Sequence, residues 1–90
     1  MIVKITDYGN GSKNFVDYTV SSLDDNQKNY IIENLDEKIE VDGDDLVITM
    51  YFSDTLYPFQ SETAQFRLND FISREEIEMN LFLSSFLDDI

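Results

Sequence analysis

The segment Leu46 to Ser53 constrains the fold more than any other part of this chain. Side chains alternate between the two faces of a strand, so Leu46, Ile48, Met50 and Phe52 share one face. Val47, Thr49 and Tyr51 share the other, which is less polar than a solvated face would be. A strand that is apolar on one side and largely apolar on the other belongs in the middle of a sheet. Asp42-Gly43-Asp44-Asp45 precedes it as a turn, and Ile39 and Val41 begin a strand before that turn. The pattern predicts a hairpin with its second strand central.

The N-terminal residues repeat the pattern. Ile2 to Tyr8 reads as a strand, with Val3 and Ile5 on one face and Ile2, Lys4, Thr6 and Tyr8 on the other. Gly9-Asn10-Gly11-Ser12 is a turn signal. Phe15 to Val20 alternates again and places Val16, Tyr18 and Val20 together. Ser21 or Ser22 suits a helix N-cap, and Asp24 and Asp25 suit the positive end of the helix dipole. Leu23, Gln27, Tyr30, Ile31 and Leu35 then form a helical stripe over about 23–35.

After the central strand, 54–61 reads as a loop around Pro58, and 64–70 as a possible short fifth strand. Ser73-Arg74-Glu75-Glu76 has the form of a capping box, which predicts a helix over about 74–88. Met79, Phe82, Leu83, Phe86, Leu87 and Ile90 supply its apolar stripe. The expected fold class is α+β, an antiparallel β-sheet of four to five strands with two helices, order ββαββ(β)α, in one domain spanning 1–90.

Several chemistries are excluded by residue type. The 90 residues contain neither His nor Cys. The usual neutral-pH general base, the Cys-based zinc site and the Ser-His-Asp or Cys-His nucleophile systems are therefore unavailable. The three glycines sit in short turns, so no phosphate-cradling loop exists. Asp42-Gly43-Asp44-Asp45 departs from a calcium-binding loop, whose Gly comes sixth. The expectation is a protein that is not an enzyme and takes no cofactor or metal. No apolar run approaches the roughly 20 residues of a membrane span. The N-terminus lacks the apolar region of a signal peptide, so a cytoplasmic location is expected.

The charge points to partners. Nineteen acids oppose six bases, for a net charge of −13. Such a charge repels nucleic acid and anionic membranes and attracts basic proteins and cations. The acids concentrate at Glu33, Asp36, Glu37, Glu40, Asp42, Asp44 and Asp45, relieved only by Lys38. Glu40 and Asp42 fall two apart on a strand, separated by roughly 6.6 Å. Glu33 and Glu37 would be about 6 Å apart if the helix extended that far. Carboxylates at such spacings can occupy a cleft built for phosphates. The same pattern also serves to keep a hairpin edge from pairing with neighbours. Tyr57 and Phe59, flanking Pro58, are candidate aromatic contacts, or else they cover the core. Ile77 and Leu81 lie opposite the main stripe of the last helix and form either a covered patch or a second contact strip.

In length, charge and its acidic segment 33–45, the chain resembles small acidic inhibitor proteins of phages and mobile elements. These are anti-CRISPR and anti-restriction proteins, some of them DNA mimics. Acidic immunity proteins against nuclease toxins look similar. The resemblance is one of class and carries over no individual residue. It implies a non-enzymatic inhibitor that occupies the basic nucleic-acid site of a nuclease or other effector. The partner-binding residues would be Glu33, Asp36, Glu37, Glu40, Asp42, Asp44, Asp45, Tyr57 and Phe59. The alternatives are an immunity protein, or a small adaptor or structural subunit that binds through an apolar helix face.

Overall fold

A computed structural model describes residues 1–10, 14–52 and 64–90. Among these residues four strands and two helices follow in the order ββαββα: β1 (Ile2–Asn10), β2 (Asn14–Ser21), α1 (Asp25–Asn34), β3 (Lys38–Asp42), β4 (Asp45–Phe52) and α2 (Ala64–Leu87). All strand pairs are antiparallel, in the order β1-β2-β4-β3. As its apolar pattern demands, β4 lies inside the sheet, beside β2. The strands β2 and β3 are therefore parallel to each other with β4 between them, and α1 makes the crossover.

Residues directly opposite one another share a face. One face carries the rows Val3, Val20 and Leu46, then Ile5, Tyr18, Ile48 and Ile39, then Tyr8, Val16 and Met50. Both helices pack on this face. Val16, Tyr18, Val20, Leu46 and Ile48 are buried there beneath Ile31 of α1 and Met79 and Leu83 of α2. The helices also touch each other, with the Tyr30 and Phe86 rings 5.1 Å apart at a tilt of 58°. The result is a two-layer α+β domain.

The second sheet face is tied by side-chain hydrogen bonds. The Thr6 and Thr19 hydroxyls meet at 2.8 Å, and the Thr49 hydroxyl donates to Asp17 Oδ1 at 2.5 Å. The Phe15 ring lies over Gly9, its partner across the strands. A Cβ at Gly9 would come within 2.6 Å of that ring.

Four local expectations are corrected. First, β1 does not alternate throughout. Ile5 faces Tyr18 and Asp7 faces Asp17, so Thr6 is an extra residue, a β-bulge. The slip of one carries Tyr8 to the core side of the sheet, opposite Val16. Second, the N-cap of α1 is Asp24, not Ser21 or Ser22. Ser21 is still in the strand, and Ser22 has a left-handed backbone (φ 61°). Asp24 accepts from the Gln27 backbone N–H at 2.8 Å, and Gln27 Oε1 accepts from the Asp24 N–H at 3.0 Å. That is a complete capping box.

Third, residues 64–70 are helical, not a fifth strand. Ala64-Gln65-Phe66-Arg67-Leu68 contains no β-branched residue and several good helix formers. Nothing in it resists extending the helix backwards. Fourth, Ser73 is consequently inside α2 and caps nothing. Its pattern with Glu76 is a coincidence of spacing, since a continuous helix already supplies acceptors for those backbone donors. At the other end the helix stops at Leu87, so Ile90 leaves the stripe and is exposed.

Candidate protein-docking surface

The acidic residues come together at one edge of the sheet. Helix α1 ends at Asn34, where Leu35 turns to an extended backbone. Two bonds close the end: the Leu35 N–H donates to the Ile31 carbonyl, and the Asn34 side chain donates to the Tyr30 carbonyl, each at 2.9 Å. The helix therefore stops before Glu37, and the i,i+4 pairing of Glu33 with Glu37 does not form. Glu33 is exposed on the last turn of α1, and Asp36 and Glu37 are exposed in the link to β3.

Strand β3 is an edge strand of five residues. Ile39 faces Ile48 on the core side, so Lys38, Glu40 and Asp42 lie on the second face. The β3–β4 turn has Gly43 and Asp44 at its centre, with Asp42 paired to Asp45. Gly43 is left-handed (φ 61°) at the first central position, the place where a II′ turn requires glycine. Six of the seven acids are exposed, and Asp45 is half-buried. The one base among them, Lys38, pairs with Glu40 at 3.6 Å. That pair is solvent-exposed and contributes little. Among the described residues, no three acids converge as a metal site would require. Tyr57 and Phe59 lie outside the described residues.

A second feature lies at the opposite edge. Strand β1 borders a groove of about 440 Å³ against α2, lined by Val3, Lys4, Glu76, Ile77, Asn80 and Leu81 among others. Ile77 and Leu81 are 62% and 65% exposed. The Ile5 backbone N–H donates to Glu76 Oε2 at 2.8 Å. Sequence reasoning missed this contact, because it depends on where α2 crosses a strand 71 residues away.

A third arrangement was also invisible in sequence. The Tyr18 hydroxyl, on a buried strand position, donates to Glu75 Oε2 at 3.4 Å. Burial, then the neighbouring Glu78, raises the Glu75 carboxyl above its ordinary value of 4.5. Burial and then Glu75 raise the Tyr18 hydroxyl strongly.

Fold and surface together define an acidic two-layer α+β domain with a carboxylate-lined sheet edge. Residues 2–89 match the model of the family described as "Family of unknown function (DUF5750)", and the chain belongs to that family. No curated protein matches it.

Proposed function

We propose that the protein is a non-enzymatic inhibitor. Its edge from Glu33 to Asp45 would occupy the basic nucleic-acid-binding site of a nuclease or other effector, of anti-CRISPR or anti-restriction type. One observation carries this reading: the seven acids lie on the end of α1, the link to β3, the edge strand β3, the β3–β4 turn and the first residue of β4, with a single base among them. The folded surface is 5890 Å². A partner footprint of about 800 Å² would hold only about two net charges if they were evenly spread. Seven acids within one continuous segment far exceed that. Clustering of this kind accelerates encounter with a basic partner and makes binding salt-sensitive.

The test is charge reversal. Glu40→Lys, Asp42→Lys, Asp44→Lys and Asp45→Lys together should abolish capture of basic nucleic-acid-binding proteins from a host extract, as should raised salt. Capture that survives both changes overturns the reading. The exposed pair Ile77 and Leu81 favours a second reading, an adaptor that binds through α2. In that case Ile77→Ala with Leu81→Ala removes binding, and salt has little effect. Among the described residues no helix is long and apolar enough to cross a membrane. The cytoplasm, where such effectors act, is the proposed compartment.

A further inference from the structure

Tyr18, Met50, Glu75, Glu78, Met79 and Phe82 line a cleft of about 180 Å³ between the sheet and α2. The cleft is distinct from the acidic edge. Met50 is five residues from Asp45 along β4, about 17 Å. Its walls are two thioethers and two aromatic rings, which suit an apolar stem. Glu75 and Glu78 also line it, and the Tyr18 hydroxyl is bonded to Glu75. Among the described residues no Lys or Arg forms an ion pair with either Glu. Arg74 acts on Glu75 only at longer range. Two carboxylates held together without a paired cation, one of them partly desolvated, favour a positive group. Pockets for whole small molecules run to about 300–1,000 Å³, so this one suits a single side chain.

We infer that the cleft seats the side chain of one arginine or lysine of a protein partner, with its aliphatic stem between Met50, Met79 and Phe82 and its charge on Glu75 and Glu78. Long basic side chains combine these two parts. A charge-assisted bond to carboxylate, with a ring alongside, gives them an anchor. The net charge of −13 draws basic proteins to this surface and disfavours a second copy as the occupant.

The chain offers a direct probe, because it has three methionines and only Met50 and Met79 line the cleft. The protein would be labelled with 13C at the methionine methyls and titrated with N-acetyl-argininamide. Two matched controls follow: N-acetyl-norleucinamide has a stem without charge, and guanidinium chloride has charge without a stem. Saturable movement of the Met50 and Met79 signals, with Met1 still and both controls weaker, is the expected result. Glu75→Gln with Glu78→Gln should weaken binding by about tenfold or more. Glu40→Gln with Asp42→Asn removes the same charge from the acidic edge and should change affinity by less than about twofold. If the double cleft variant does not fold, Glu78→Gln alone, at an exposed position, makes the comparison. No movement with argininamide, an equal response to either control, or equal affinity in the cleft variant overturns the inference. Its failure would leave the acidic edge untouched, since neither Glu75 nor Glu78 belongs to that edge.

Discussion

Glu76 and Ile5 are joined by a hydrogen bond of 2.8 Å from a strand backbone to a helix side chain. Strand β1 is at the sheet edge, and an edge N–H is a template for unwanted pairing. Here α2 covers it with a carboxylate, and the bulge at Thr6 interrupts regular pairing at the next residue before it resumes at Asp7. Glu76→Ala should cost about 1–3 kcal/mol, because it leaves a partly buried donor without its acceptor. Glu76→Gln keeps an oxygen in place and should cost less. Urea unfolding gives the difference, and faster amide exchange at Ile5 in the alanine variant locates it.

The helix ends provide a second prediction. Asp24→Ala removes the N-cap of α1 and should destabilise by about 1 kcal/mol. Ser73→Ala lies within α2 on its exposed side and should be neutral or slightly stabilising. If Ser73→Ala proved as costly as Asp24→Ala, α2 would have to begin at Ser73 after all. Thermal unfolding of the two variants side by side decides it.

Exposure separates residues of α2 that look equivalent in sequence. Leu83 is fully buried, and Leu83→Ala should cost about 2–5 kcal/mol. Leu81, two residues earlier, is 65% exposed, and Leu81→Ala should fall within about 0.5 kcal/mol of the parent. The measurement is again denaturant unfolding.

The pH dependence follows from Glu75. Its carboxyl is raised in the folded state, first by burial and then by Glu78. The folded protein therefore holds its proton at pH values where the unfolded chain has released it. Stability should fall as pH rises from the ordinary 4.5 through the raised folded value, and the loss persists above it. Glu75→Gln should flatten that segment of the profile and gain relative to the parent at neutral pH. Tyr18 has the same sign at alkaline pH: its hydroxyl is raised from 10.0, so stability should fall further above that value. Stability measured from pH 4 upward, in parent and Glu75→Gln, tests the first part. A profile identical in both would remove Glu75 as its source.

The buried polar bond on the second sheet face provides a fifth prediction. Thr49 is 7% exposed and donates to Asp17, which faces Asp7 across the strands. Thr49→Val keeps the shape and removes the donor, so it should cost about 1–3 kcal/mol by leaving a carboxylate without that bond beside a like charge. Asp17→Asn made in the Thr49→Val background should recover part of the loss.

What the sequence determined by itself was the class of fold and the identity of its central strand. Alternation in Leu46–Met50, Phe15–Val20 and most of β1 reports which side chains avoid water, and Val3, Val16, Tyr18, Val20, Leu46 and Ile48 are buried accordingly. The β3–β4 turn was legible because Asp and Gly at its centre are a local requirement. So was the grouping of acids from Glu33 to Asp45, because neighbours in sequence remain neighbours in space.

Where signals competed locally, the tertiary structure decided. A Ser-x-x-Glu pattern at 73–76 and a plausible strand at 64–70 both gave way to one longer helix. Packing of Met79 and Leu83 onto the sheet stabilises the helix more than a cap at Ser73 would. The bulge at Thr6 shifted Tyr8 to the other face, since one inserted residue reverses every side chain beyond it. The contacts of Glu75 with Tyr18 and of Glu76 with Ile5 span 57 and 71 residues. No local pattern encodes such pairs. They exist only because α2 lies across β1 and β2, and that placement comes from burial of the whole apolar stripe.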